Sequence, residues 1–245
     1  MVIAVSTATL ATFVLAAPAS SASSGFSGQS ANTIVERARA AMATAGSVSA
    51  SGHGVGTASG GGKVEIRESD YTGATSGTQQ FKITSIDGSG VNLPTASTVD
   101  VDGSVYVDAN AEFWTSSAGL SNSQAAAVAN RWVQIPSSNP FYALAAADLT
   151  MPSLVSDMFS AKKFHKGRIV SVDGVRAISI AYTNTGNDAG PAICDVALGG
   201  NHLPVAVTID GITLHLTLWG KTKAVTAPVG APLLPSTSSG GEVTT

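Results

Sequence analysis

Val205-Ala-Val-Thr-Ile209, Asp210-Gly211, Ile212-Thr-Leu-His-Leu-Thr-Leu218 is the stretch that decides how this chain folds. A two-residue Asp-Gly turn joins antiparallel strands well, because both residues take the positive φ that matches strand twist. It sets Ile209 opposite Ile212, Val207 opposite Leu214 and Val205 opposite Leu216. One face of the hairpin is then wholly aliphatic, and Thr208, Thr213, His215 and Thr217 occupy the other. Apolar runs flank three further Asp-Gly pairs, at Asp87-Gly88, Asp102-Gly103 and Asp173-Gly174. Such a chain builds an antiparallel sheet with a broad greasy face.

Working outward, strands are expected at Val48 to Val55, Lys63 to Glu68, Gln80 to Ile86, Thr98 to Val101 and Val105 to Ala109. After a helical middle they resume at Arg168 to Val172, Val175 to Tyr182 and Ala192 to Leu198. At Asp102-Gly103 a plain turn would put Val99 and Val101 on the opposite face from Val105 and Val107. A bulge at Ser104 would restore a shared face, and one is expected there. Thr33-Ile-Val-Glu36 reads as a capping box opening a helix that ends near Gly46. Ser121-Asn-Ser-Gln124 is a second box before Ala125 to Asn130. Asn139-Pro140 introduces Phe141 to Leu149, and Met151 to Ser160 forms another short helix. Three short helices cannot cover so much aliphatic sheet. Either the core is unusually broad or part of it receives a guest.

Composition narrows the classes. Only 12% of the 245 residues are charged, about half the usual share, and the net charge is −3. No basic bias points to nucleic acid. Residues 1–22 read as a signal peptide: Val2 to Ala17 is apolar, and Ala17-Pro18-Ala19 or Ser20-Ser21-Ala22 supplies small residues for cleavage. The first basic residue is Arg37, so the other readings are a true start further upstream or an uncleaved anchor, although the run is short of the roughly 20 residues of a span. A flexible linker at 23–32, a folded domain at 33–228 and a disordered Pro/Ser/Gly/Thr tail at 229–245 complete the expected plan. The protein is expected to be a monomer, secreted or in the cell envelope.

Motifs of catalysis are missing. There is no Gly-x-Ser-x-Gly, no His-Glu-x-x-His, and His53, His165, His202 and His215 lack metal-ligand spacing. Gly52-His-Gly-Val-Gly56 has the wrong spacing for a phosphate loop. Cys194 is alone, so it has no disulfide partner within the chain, and its alternation with Ala192, Val196 and Leu198 marks a small buried hydrophobe. The chain is therefore expected to be no enzyme and to use no cofactor or metal. Lys162, Lys163, His165, Lys166 and Arg168 form the one charged cluster. It is read either as a solvated helix end or as a contact for anionic headgroups.

Val105-Tyr-Val-Asp-Ala-Asn-Ala-Glu-Phe-Trp114, then a helix, then Asn130-Arg-Trp-Val-Gln-Ile-Pro136, resembles the LppX/LprG-type envelope lipoproteins of actinobacteria, which are similar in fold to the LolA/LolB carriers. The order of short helices, a strand-Asp-Gly-strand unit, Leu203-Pro204 and a closing hairpin continues the likeness over Thr33 to Pro228. The resemblance implies an α+β fold: a strongly curved antiparallel half-barrel sheet with short helices on its concave side. It also implies a cavity that holds acylated lipids or glycolipids for transport in the envelope, with transient membrane contact. Tyr106, Trp114, Trp132 and Pro136 match the motif and carry structural roles. The lipid-anchor Cys is missing from the sequence as given, so an unanchored relative is expected.

Residue patterning and the resemblance together nominate a lining. The sheet supplies Phe81, Ile83, Val99, Val101, Val105, Val107, Ile178, Ile180, Val205, Val207, Leu214 and Leu216; the helices supply Leu144, Leu154 and Met158. Lys162, Lys163 and Lys166 are the candidates for headgroup or membrane contact. At about 0.8 kcal/mol per methylene, a 14-carbon chain would gain about 11 kcal/mol before the costs of binding. The rival is a module with the same fold and a filled core, serving protein contact or sensing.

Overall fold

The computed structural model describes residues 26, 28–57, 63–86, 93–147, 149–185, 190–209, 211–221 and 225–234. Within them runs one antiparallel sheet of 11 strands. In chain order these are β1 (Val48–Thr57), β2 (Lys63–Thr72), β3 (Ser76–Ser85), β4 (Thr95–Val101), β5 (Ser104–Ala109), β6 (Val133–Ile135), β7 (Phe164–Val172), β8 (Val175–Asn184), β9 (Gly190–Ala197), β10 (Pro204–Ile209) and β11 (Ile212–Thr217). The spatial order is β6-β5-β4-β3-β2-β1-β11-β10-β9-β8-β7. Strands consecutive in sequence are therefore adjacent in space, except β6 and β7, which form the two edges, and the pairing of β1 with β11 joins the two halves.

Turn chemistry fixes the register. Asp102 and Gly103 have φ of 50° and 83°, and Asp173 and Gly174 have 49° and 81°, the positive pairs that two-residue hairpins need. The last hairpin pairs Val207 with Leu214 and Ile209 with Ile212, as its alternation requires. Val205 departs from the expectation, because a register shift between Pro204 and Ala206 takes it out of the ladder. The bulge expected at Ser104 is not formed: Val101 pairs directly with Ser104 and Val99 with Tyr106. Val99 and Val101 consequently stand on the opposite face from Val105 and Val107. The Asp87-Gly88 turn lies outside the described residues.

The helices are α1 (Ala31–Ala45), α2 (Ala111–Ser116), α3 (Asn122–Val128), α4 (Tyr142–Ala145) and α5 (Met151–Met158). α1 starts earlier than Thr33 because Ser30 is the cap, its hydroxyl accepting from the Thr33 N–H. Gly46, at φ 70°, ends the helix as expected. The Ser121–Gln124 box holds reciprocally at the start of α3. α4 is far shorter than the expected Phe141 to Leu149.

Two apolar clusters form on one face of the sheet. In the first, Ile34, Val35, Ala38 and Met42 of α1 and Phe159 after α5 pack on Ile178, Ile180, Cys194, Val207 and Leu216. In the second, Trp114 of α2, Val128 of α3 and Phe141 cover Val105, Val107, Val133 and Ile135. A single row of cross-strand partners links them: Leu216–Ala50–Asp70–Gln79–Thr98–Val107–Val133. Directly opposed residues share a face, so all helices lie on the same, concave side. The centre of that row is polar.

Bending has a visible cause. Gly52, Gly54 and Gly56 alternate on the concave face of β1, where a Cβ at Gly52 would run into the Thr213 carbonyl and one at Gly54 into Ile212. Only glycine lets the β11 backbone come so close while the sheet curls. The glycine string of the sequence is thus structural.

Both ends of the domain differ from expectation. Phe26, inside the stretch read as a flexible linker, is buried in the first cluster and stacks on His202 with ring centroids 3.9 Å apart. Past residue 229, where a disordered tail was expected, Leu234 is 3% exposed within the second cluster. The Gln134 N–H donates to the Pro232 carbonyl and the Leu234 N–H to the Gln134 carbonyl. This short segment covers the open edge of β6. Residues 1–25 and 235–245 lie outside the described residues, and with them the expected signal peptide.

Candidate functional site

Between the two clusters the concave face and the helices do not meet. A partly open cavity of about 300 Å³ remains, lined from the sheet, α4, the segment that follows it and α5. Its volume falls at the lower end of the range for small-molecule sites. One wall is aliphatic: Val207 and Ile209 of β10, Ile212, Leu214 and Leu216 of β11, and Leu154 and Met158 of α5. Leu154 and Met158 are four residues apart and so share one helical face. Leu144 of α4 also lines the space and is 55% exposed, which puts a large apolar side chain at its mouth.

The adjoining part of the same sheet face, beyond β1, is polar. Glu68, Asp70 and Thr72 of β2 and Gln79 of β3 point inward, and Asp157 of α5 meets the same space. Gln79 Nε2 donates to Glu68 Oε1 at 2.9 Å, fixing the amide and leaving the carboxylate in place. α5 is held over this wall from its start: the Met151 N–H donates to the Gly73 carbonyl at 2.6 Å, and Thr150 bridges Gly73. Gly77 is needed beside it, since a Cβ there would strike the Leu149 carbonyl. Backbone contacts thus tie the start of α5 closely to the β2–β3 end of the sheet.

The nominated lining divides into several groups. Val207, Leu214, Leu216, Leu144, Leu154 and Met158 are brought together around the cavity. Ile178 and Ile180 are buried in the first cluster and Val105 and Val107 in the second. Ile83 pairs with Ile66 further along the concave face. Val99 and Val101 occupy the convex side, and Val205 leaves the ladder at the bulge. Phe81 lies on β3 opposite Glu68 and Ala96, and its side chain is outside the described residues.

Lys162 and Lys163 are exposed in the turn after α5, and His165, Lys166 and Arg168 belong to the edge strand β7. None of them is at a helix end, which removes the helix-dipole reading. Lys166 Nζ donates to the Gln29 carbonyl at 3.0 Å, and none of Lys162, Lys163 and Lys166 lines the cavity. Sequence reasoning missed Glu68, Asp70, Gln79 and Asp157. The alternation of Glu68, Asp70 and Thr72 along β2 was the available signal.

A second, larger depression of about 470 Å³ opens near Arg67, Lys82, Ser97, Asp108 and Asn110. It is unsuited to hydrocarbon, being ringed by charged and amide groups. Asn110 there is committed to structure: its Oδ1 accepts from the Phe113 and Thr95 N–H groups, and its Nδ2 donates to the Leu93 carbonyl.

Reactive chemistry finds little footing. Burial raises the Cys194 thiol far above its ordinary range, with Asp195 adding to the effect, so the reactive thiolate is suppressed. Burial likewise raises Tyr182. Among the described residues no group of three His, Cys, Asp or Glu side chains is placed to hold a metal ion. His215 pairs with Asp173 at 2.7 Å, both exposed. Among the same residues no helix is long and apolar enough to cross a membrane.

No protein-family model and no curated protein sequence matches the chain. Solved structures with a similar course of chain include LprF from Mycobacterium bovis, at 12% identity and TM-score 0.47, covering 82% of this chain and 97% of that one. A LolA superfamily protein from Nitrosomonas europaea is similar at 10% identity and TM-score 0.28, over 77% of this chain and 92% of its own. A chain of the Pseudomonas aeruginosa MucA/MucB complex is similar at 13% identity and TM-score 0.33, over 76% of this chain and 55% of that chain.

Proposed function

We propose that this protein binds an acyl lipid in the cavity between its concave sheet and α4 and α5, and carries or presents it in the cell envelope without chemistry. The observation that supports this reading is the unfilled aliphatic wall of Val207, Ile209, Ile212, Leu214 and Leu216 facing Leu154 and Met158. A well-packed domain closes such a surface on itself. Here part of it stays open beneath α4 and α5.

Size sets the stoichiometry. A volume of about 300 Å³ holds on the order of ten water-sized groups at roughly 30 Å³ each. That suits one chain, part of its length protruding past Leu144, rather than several. Ten buried methylenes would contribute about 8 kcal/mol before the losses of freedom on binding. Affinity of that order permits both uptake and release. The exposed Lys162 and Lys163 are suited to brief contact with an anionic membrane surface.

The test is uptake of the neutral apolar fluorophore N-phenyl-1-naphthylamine by the full chain, with displacement by a fatty alcohol. Saturable uptake is expected, and Leu214→Trp should abolish it while circular dichroism and melting stay near wild type. Uptake unchanged in that variant, or none in the wild type, would overturn the proposal. In the latter case a protein-contact role would take its place.

A further inference from the structure

The two walls of the cavity differ in kind, and that difference bears on which lipid fits. Glu68 and Asp70 project from β2 and Asp157 from α5, so the carboxylates reach the same space from opposite layers. Among the described residues that line it, none is Lys, Arg or His. The aliphatic strands β11 and β10 lie beside β2 on the same sheet face, with only β1 between. An acyl chain laid against Leu214 and Val207 therefore brings its polar end towards Glu68 and Asp70.

We propose that the cavity selects single-chain amphiphiles with an amine head over those with a carboxylate head. This deepens the lipid-binding reading and rests on it. The site is the cavity, and the carboxylates decide which polar group can be drawn in behind a chain. A fatty acid would bring its own negative charge against Glu68, Asp70 and Asp157 in a space with restricted water, where like charges repel strongly. A neutral alcohol can donate one hydrogen bond to a carboxylate. An ammonium donates three and is drawn by charge as well. The expected order of affinity at neutral pH is amine, then alcohol, then carboxylate.

The experiment is a displacement series on the full chain with dodecylamine, dodecanol and dodecanoate, each below its aggregation threshold, against bound N-phenyl-1-naphthylamine. The amine should displace at a concentration lower than dodecanoate by about tenfold or more, a gap equivalent to roughly 1.4 kcal/mol. Asp157→Asn, whose change sits on α5 and leaves the sheet untouched, should narrow the gap between amine and carboxylate, and an unchanged gap would count against the carboxylates as the selecting groups. Glu68→Gln should act in the same direction as a second variant. Equal displacement by all three heads in the wild type would overturn the amine preference and leave lipid binding standing. Binding of the fluorophore that none of the three displaces would overturn the preference too, by showing that the probe sits elsewhere. Failure of the fluorophore itself to bind would instead remove the underlying lipid reading.

Discussion

Gly52 shows how much one side chain can decide. Its missing Cβ is what lets the Thr213 carbonyl approach β1, and the bend made there helps leave the cavity unfilled. Gly52→Ala should destabilise the fold by about 1–3 kcal/mol, as overpacking does, read as a lower urea midpoint. An unchanged midpoint would mean that the bend is not steric in origin. Asp100 makes a different kind of statement. Burial lifts its carboxyl above the ordinary value of 3.8, the Gly103 N–H opposes the rise, and Asp102 adds to it. The native state thus holds this proton more tightly than the unfolded chain does. Its contribution to stability is complete below pH 3.8 and is lost as pH climbs through the raised native value. Asp100→Asn can keep an acceptor for Gly103 and removes that loss. Its melting temperature relative to wild type should rise between about pH 4 and pH 7; a pH-independent difference would contradict the assignment.

At the scale of elements, what could be read from sequence was what local chemistry controls. The closing hairpin was legible because Asp-Gly and strict alternation agree, and the structure pairs Val207 with Leu214 as expected. The α3 box was legible because both of its bonds are local. Val99 and Val101 misled, since an all-apolar reading of β4 demanded a bulge, whereas the plain turn wins and the strand buries apolar side chains on both faces. β6 and the tail were illegible: a strand of three residues acquires meaning only from its partners, β5 on one side and Pro232 and Leu234, about a hundred positions away, on the other. The charged half of the cavity escaped notice for a related reason. Glu68 and Asp70 look like an ordinary solvated face until α5 folds over them. Leu234→Ala should cost about 2–4 kcal/mol, the usual range for a buried leucine, measured by urea unfolding. A neutral effect would show that the tail merely rests on β6.

Across the whole molecule, two solid clusters flank one unfilled span of the same concave face. The fold class expected from sequence holds, with a curved antiparallel sheet and helices gathered on one side. Only six of the fifteen residues expected in the lining border the cavity, because alternation identifies which residues share a face, not which part of that face another element reaches. A ligand that binds the native state alone raises its stability by mass action, so dodecylamine at a hundred times its dissociation constant should add about 2.7 kcal/mol. No shift in melting under those conditions would mean that the cavity does not take it. The most direct measurement is methyl NMR of the full chain during titration with dodecylamine. Binding in the cavity should shift Leu154, Val207, Ile209 and Leu214 and leave Val105, Val107 and Ile135 of the second cluster undisturbed. Shifts confined to the convex face or the second cluster, or none at any of these methyls, would contradict it.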